Sequence, residues 1–228
     1  MPINNLFKVS QSDRHQFCSH IIDSSAPRTD FYFLVILSTL IVALGFLADN
    51  IFLVIGGMLV TPLLSPILAI ALGVVINDGK VIRRSVKVFF TAFILAFIIA
   101  LITGIFSSIK VGQISLIKIM QPTLFSFFVA VVAGLAASYT WVKPNLNVTL
   151  PGIAITVTLI PPLTALGLAV ASQDWFIFSN IFIFFLLNFF GIIVASIVVF
   201  SLMDFYKAKE KIIAEVKKEE KEINKELK

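Results

Sequence analysis

The sequence has few of the residues on which enzyme chemistry depends. Its one cysteine, Cys18, cannot form a disulfide within the chain, and its two histidines, His15 and His20, lie in a polar N-terminal segment. No HxxxH or CxxC pattern, glycine-rich phosphate loop or nucleophile elbow is present. The long apolar runs carry no charged residue or histidine deep within them. We therefore expect no enzyme activity, catalytic residue, metal site, cofactor or buried proton relay.

Charge is scarce, whereas apolar residues are abundant. Charged residues make up 14% of the 228 residues and hydrophobic residues 58%, with a mean hydropathy of +1.00. A soluble domain carries about 25% charged residues. The net charge of +5 fits the lysine and arginine excess that multi-span proteins place in the cytoplasm, so no nucleic-acid partner is expected. No cleavable signal peptide is expected, because no early apolar core follows a basic start.

Six apolar segments predict an all-α, polytopic membrane protein with six transmembrane helices in the lipid bilayer. The polar pair Asp49-Asn50 separates the first two segments, and Ser172–Asp174 separates the last two. The predicted spans are Phe31–Ala48, Ile51–Ile76, Val88–Phe106, Pro122–Trp141, Val148–Ala171 and Trp175–Met203.

These spans divide the chain into five predicted regions. The tail is rich in Lys and Glu and is expected to continue the sixth helix into solvent, with a short coiled coil as the alternative. The regions are a cytoplasmic N-terminal segment (1–30), a first three-helix repeat (31–106), a connecting loop (107–121), a second three-helix repeat (122–203) and a charged cytoplasmic helical tail (204–228).

Lysine and arginine are distributed unevenly over the predicted loops. With alternating crossings, 16 of them fall on one face and 2 on the other. Because the positive face is cytoplasmic, we expect a multi-pass protein of the cell membrane with both termini in the cytoplasm. If both proline-containing segments were re-entrant hairpins, the split would be 13 to 5. The charges therefore favour full crossings.

One unusual apolar segment occurs twice. The copies run from Gly56 to Gly73 and from Gly152 to Gly167, and each has two prolines near its middle. An offset of 96 residues pairs Pro66 with Pro162, and it also superposes the first span on the fourth and the third on the sixth. A three-span unit crosses an odd number of times, so its second copy is upside down. This predicts an inverted 3+3 repeat in which the second and fifth helices are proline-broken.

The prolines have a defined effect on the backbone. Proline has no N–H, and its ring crowds the carbonyl four residues earlier. Each freed carbonyl needs another partner in the membrane interior, such as a nearby hydroxyl, water, an ion or a substrate. The alternative is a simple kink that helps the helices to pack. The freed carbonyls are those of Met58, Pro62, Val157 and Thr158.

Two sets of candidate site residues follow. The amide of Asn188, near the centre of the sixth span, either joins two helices or lines a polar pathway with the broken helices. The predicted substrate or ion pathway consists of Thr61, Pro62, Ser65, Pro66, Thr158, Pro161, Pro162 and Asn188. The basic loop predicted to contact lipid headgroups contains Lys80, Arg83, Arg84 and Lys87.

Several stretches of the chain resemble a known family. They are Ile55–Leu68, Leu150–Ile155, Leu159–Leu163 and Leu187-Asn188. Together they resemble the domain of unknown function 389, also called the hydrophobic-domain family. The resemblance covers Phe31 to Phe200 and departs at Gly57 and Thr61, where alanine is expected more often. It implies a prokaryotic multi-span membrane protein and supplies no agreed substrate.

These patterns favour a membrane transporter or channel-like protein for a small solute or ion, with its site between the broken helices. The alternative is a membrane scaffold or lipid-binding protein that transports nothing. Small residues at four-residue spacing, such as Ala130 and Gly134 or Gly191 and Ala195, allow close helix contacts within one chain or between copies. We expect a homo-oligomer.

Overall fold

The computed structural model describes residues 14, 17–18, 20–22, 25–107, 110–143 and 159–208. These residues contain helices and turns and no strand, as the sequence predicts. Three predicted features lie outside the described residues: most of the N-terminal segment, the first half of the fifth span, which includes Thr158, and the tail after residue 208. The described start of the tail differs from the prediction, because the sixth helix ends at Leu202 and Asp204 has a left-handed φ of 57°, so the tail does not directly continue that helix.

Four of the described helices are long and apolar enough to cross a bilayer: Thr29–Leu47 (α1), Gly79–Ile105 (α4), Leu124–Val142 (α6) and Trp175–Leu202 (α8). Helices Ile51–Val60 (α2) and Leu64–Val75 (α3) together have the length of a span, but the chain bends by 52° between them. The described bounds are α1 Thr29–Leu47, α2 Ile51–Val60, α3 Leu64–Val75, α4 Gly79–Ile105, α5 Ser115–Lys118, α6 Leu124–Val142, α7 Ile160–Ala171 and α8 Trp175–Leu202, with single 3₁₀ turns at Val111–Gln113 and Phe205–Ala208.

The two longest helices begin at aspartate caps. The Asp78 carboxylate accepts the backbone N–H groups of Lys80 and Val81, at 2.8 and 3.0 Å, and Asp174 accepts that of Ile177 at 3.0 Å. Such caps satisfy N–H groups that have no partner within the helix. Helix α4 therefore starts at Gly79, nine residues before the predicted span, because hydropathy marks only its apolar part.

Helices α3 and α7 have the same length and end in the same turn. Each has 12 residues and is followed by a left-handed residue, Asn77 with φ 51° or Gln173 with φ 56°. The N–H of Asp78 bonds to the carbonyl of Gly73, and the N–H of Asp174 bonds to that of Ala169, at 3.0 and 3.1 Å. This is the Schellman arrangement, and every position in one turn corresponds to the other at an offset of 96.

The bundle has two distinct ends. At the connector end, the residues between α4 and α6 bind both neighbouring turns. Asp49 accepts the N–H groups of Leu116 and Ser115, at 3.0 and 3.2 Å, and the Ser172 hydroxyl accepts that of Val111 at 3.2 Å. The backbone N–H of Leu116 and the side chain of Ser115 hold the pKa of the Asp49 carboxyl below its ordinary value.

At the opposite end, here called the termini end, residues near both ends of the described chain share one buried cluster. The Phe17 ring lies 5.2 Å from the Phe200 ring and 5.1 Å from the Phe205 ring. Ile76, at the end of α3, and Val142, at the end of α6, belong to the same cluster. The N-terminal segment and the end of α8 therefore lie at the same end of the bundle.

Small residues bring the helices together within the chain. A Cβ added at Gly167 of α7 would lie 2.6 Å from Ala100 Cβ and 2.8 Å from the Phe97 carbonyl oxygen of α4. A Cβ added at Gly134 of α6 would lie 2.9 Å from Ala195 Cβ of α8. The small residues of the fourth and sixth spans thus pack against one another within this chain, and the expected homo-oligomer stays a prediction.

Two adjacent glycines of α2 provide a test of this close packing. Gly57→Ala is expected to lower the free energy of unfolding by about 1–3 kcal/mol, because its Cβ would lie 2.5 Å from Val42 Cγ2 and 2.9 Å from the Ser38 carbonyl oxygen. Gly56→Ala is the matched control, since no atom lies within 4 Å of its Cβ. It should be neutral or stabilising by up to about 1 kcal/mol, and thermal unfolding in detergent measures both. Equal effects of the two changes would contradict close packing at Gly57.

Candidate functional site at the starts of α3 and α7

Helices α3 and α7 are half-helices that begin inside the bundle. Each spans about 18 Å, against about 30 Å for the hydrocarbon core of a bilayer. The residues before them, Leu63 and Leu159, are each 2% exposed and belong to the main buried cluster. No side chain caps either start. Each of the two half-helices therefore has a buried N-terminus, whose N–H groups and dipole need partners.

The prolines reduce the number of backbone N–H groups that need a partner. The first four N–H groups of a helix, from the N-cap onward, have no partner within the helix. In α7, Pro161 and Pro162 occupy two of these four positions and carry no N–H, and in α3 Pro66 occupies one. All three prolines are buried. Proline thus allows a helix to start in an apolar interior with fewer unsatisfied donors, and it also leaves fewer donors for an anion at α7.

At the first break, the chain satisfies both of the carbonyls that the prolines free. The carbonyl of Met58, which Pro62 cannot reach, accepts the N–H of Thr61 at 3.4 Å. The carbonyl of Pro62, which Pro66 cannot reach, accepts the hydroxyl of Ser65 at 2.9 Å. These two oxygens are therefore engaged by groups of the break itself.

The break is also attached to α1. The oxygens of Thr61 and Ser38 lie 2.7 Å apart, and Ser38 donates to the Val35 carbonyl at 3.0 Å. Because a serine hydroxyl has one proton, Thr61 is the donor to Ser38. Thr61, a predicted pathway residue, thus connects the bend between α2 and α3 to the neighbouring helix.

The second half-helix contains a hydroxyl with no partner. Every residue from Leu159 to Ala169 is buried, and Thr164 is 0% exposed. Its Oγ1 makes no hydrogen bond to any atom of the described residues. By contrast, Thr39, Thr140 and Ser196 each donate to a carbonyl four residues earlier.

Thr164 is not one of the predicted pathway residues, although it lies only two residues after Pro162. Thr164 lies one turn before Gly167, on the same side of α7. At Gly167 the backbone of α4 approaches closely, so the hydroxyl lies on or near a closely packed side of the half-helix. A buried hydroxyl without a partner costs about 1–3 kcal/mol, which makes Thr164 a candidate for part of a site.

Asn188 is held by its own helix. It is half-buried in α8, and its Nδ2 donates to the Phe184 carbonyl at 2.8 Å. That bond uses one N–H of the amide, so its second N–H and its carbonyl oxygen can still bind other groups. The described contacts do not connect Asn188 to the carbonyls of the first break.

The basic loop forms the first two turns of α4. Lys80, Arg83 and Lys87 are exposed on one face of that helix. Arg84 is half-buried, and together with Ser25 it lines a small pocket of about 10 Å³, which is about the size of one water. Three of the four predicted headgroup residues are thus accessible, and the fourth turns toward the N-terminal segment.

Comparison with known proteins places these helices in a family. The sequence profile of "Domain of unknown function (DUF389)" matches residues 58–194, more than half of the chain and including both half-helices. A relative from Methanocaldococcus jannaschii, named "Uncharacterized protein MJ0678", is 29% identical over 168 residues. The match covers 74% of this chain and 52% of the relative, so the chain spans about half of the relative's length. No solved structure matches.

Replacing the unpaired hydroxyl should stabilise the protein. Thr164→Val keeps the shape of the side chain and removes a buried donor without a partner, so we expect a gain of about 1 kcal/mol in the free energy of unfolding. Thr39→Val is the matched control, because Thr39 is equally buried and donates to Val35 at 2.7 Å. It should lose about 0.5–1.5 kcal/mol in the same detergent unfolding measurement. Equal losses in the two variants would show that Thr164 has a partner in the folded protein.

Proposed function

The chain belongs to the DUF389 family, and we propose that it is a membrane transporter or channel-like protein for a small solute or ion. Its site lies where α3 and α7 begin. The observation that carries this proposal is the fully buried, unpaired hydroxyl of Thr164 in the first turns of a half-helix. A half-helix start at mid-depth is the arrangement with which transporters bind substrates and ions.

Duplicated local structure supports an inverted 3+3 repeat. Helices α3 and α7 correspond at an offset of 96, as do their final turns and the aspartate caps that follow. The packing pairs also correspond. Helix α4 packs against α3 of its own half and α7 of the other, while α8 packs against α7 and α3.

The end of the bundle that the chain reaches at each turn supports six membrane crossings. The chain is at the connector end at Asp49 and at the termini end at Ile76, so α2 and α3 together traverse the bundle. It is at the termini end at Val142 and back at the connector end by Ser172, and α7 runs toward the connector end. The two half-helices then begin near mid-membrane in opposite orientations, which agrees with the charge split between the loops.

Orientation is testable with single cysteines. Gly79→Cys lies at the first residue of α4, where a Cβ meets nothing within 4 Å, and Gln113→Cys lies at an exposed position of the connector. In intact cells, a membrane-impermeant maleimide should label Gln113→Cys alone, and permeabilised cells should show both. The parent protein is the control, because Cys18 is 1% exposed. Labelling of both variants in intact cells would contradict the proposed topology.

Flux through reconstituted protein tests the transport proposal. Proteoliposomes in potassium chloride, glycerol and urea gradients should swell faster than empty vesicles for at least one of these solutes. Thr164→Val, Ser65→Ala and Asn188→Leu should each reduce that rate about tenfold while the protein stays folded. Thr103→Val is the control, since its hydroxyl donates within α4 to Ile99 at 2.8 Å. No permeability above that of empty vesicles would count against transport of these solutes, and unchanged flux in the three variants would remove them from the site.

One observation favours a scaffold or lipid-binding protein instead. Both carbonyls that the prolines free at the first break are engaged within the chain. Under this alternative, α3 and α7 pack as kinked structural helices, and the exposed cations Lys80, Arg83 and Lys87 hold anionic headgroups. Replacing these three residues by glutamine would then abolish binding of anionic lipid, and neither the parent protein nor this variant would show solute flux.

A further inference from the structure

A second polar region lies at the connector end, away from the half-helix starts. A cavity of about 280 Å³ separates the connector from the first two turns of α8. Its volume lies just below the range of roughly 300–1,000 Å³ that small-molecule sites occupy, which suits a headgroup rather than a large ligand. The residues that line it include Ile117, Lys118, Gln121, Asp174, Ile177 and Asn180.

The walls of this cavity are fixed by the capping bonds of the connector end. Asp49 binds the backbone at the start of α5, and Ser172 binds that of Val111. Asp174 is engaged at the start of α8 through Ile177. The two carboxylates near the cavity, Asp49 and Asp174, thus accept backbone N–H groups, and their charges are partly compensated by those bonds.

Lys118 is the cation of the cavity. The sequence places 16 of its 18 lysines and arginines on the opposite face, so Lys118 is one of two cations on this one, with Lys110. It lines the cavity, as do the carboxamides of Gln121 and the half-buried Asn180. Gln121 uses one N–H for the Lys118 carbonyl at 3.0 Å, which leaves its second N–H for a ligand.

The apolar side of the cavity belongs to the membrane surface. Trp175 and Phe176, at the start of α8, are 65% and 76% exposed, as expected for aromatic residues at the headgroup level. Ile117 and Ile181 close the inner wall and are buried. One lysine and two carboxamides over an apolar floor, at headgroup depth, form a site that suits a phosphate group attached to an organic moiety.

We propose that this cavity binds a phosphate group, with Lys118 as its counter-charge and the carboxamides of Gln121 and Asn180 as hydrogen-bond donors. The phosphate belongs either to a lipid headgroup or to a phosphate ester in solution. The proposal does not depend on transport.

Thermal unfolding of the full-length protein in a neutral detergent, at constant ionic strength, tests this binding. The added compounds are inorganic phosphate, glycerol 3-phosphate and the short-chain lipid dioctanoylphosphatidylglycerol, with sodium chloride as the blank. At least one phosphate compound should raise the unfolding temperature saturably. Lys118→Gln, which keeps a polar side chain of similar size and removes its charge, should weaken that binding about tenfold or more. Lys110→Gln, an exposed cation that does not line the cavity, should leave it unchanged.

The response pattern identifies the source of the phosphate. A rise with glycerol 3-phosphate as well as with the lipid assigns the cavity to phosphate esters in solution, and a rise with the lipid alone assigns it to a headgroup. Asn180→Ala is the second variant, should Lys118→Gln fail to fold, and it should weaken binding several-fold. The proposal is overturned if none of the three compounds gives a saturable rise, or if the rise is the same in the parent and in the cavity variants.

Discussion

A backbone polar group in a membrane interior must have a partner, and this requirement is most severe where a helix begins or ends inside the bundle. Helices α3 and α7 both begin there. The repeated segment meets the requirement by composition: prolines remove donors from the first turn, and the Ser65 hydroxyl supplies a donor to the carbonyl of Pro62. Thr61 performs two such tasks, since its N–H binds Met58 and its hydroxyl binds α1. Prolines and hydroxyls in an otherwise apolar segment are therefore what permits a helix to start at this depth.

A helix that starts inside the bundle must then be held by packing. Twelve residues cannot span the bilayer, and the hydrophobic effect does not drive one apolar helix against another within lipid. Close packing between the helices holds them together instead. Gly167 lets α7 meet the backbone of α4, and Gly104 of α4 lies so close to Ala171 that a Cβ there would be 2.6 Å from it. The long helices α4 and α8, anchored by aspartate caps at their starts, act as the frame to which both half-helices are fixed.

The all-helical character of the described residues could be predicted from the sequence, because charge-free runs and polar turns mark the apolar part of each helix. The turns at Asp49-Asn50 and Ser172–Asp174 are found where the polar residues interrupt the apolar pattern. The start of α4 differs, since the helix continues outside the apolar region to the Asp78 cap. Hydrogen-bond partners are harder to predict. The prolines show that certain carbonyls lose a donor, but whether Ser65 or a more distant group replaces it depends on a rotamer. The amide of Asn188 binds its own helix for the same kind of reason.

Described helices of the two halves correspond at an offset of 96 residues, but their polar side chains differ. At an offset of 96, Ser65 corresponds to Pro161, and Thr164 corresponds to Leu68. Asn188 corresponds to a fully buried alanine, Ala92. The polar groups of the first half are engaged with one another, whereas the second half buries a hydroxyl with no partner among the described residues. The apolar Leu68 at the equivalent position shows that packing there does not require a hydroxyl. An unpaired hydroxyl costs about 1–3 kcal/mol, and this cost at Thr164 is the observation on which the proposed site rests.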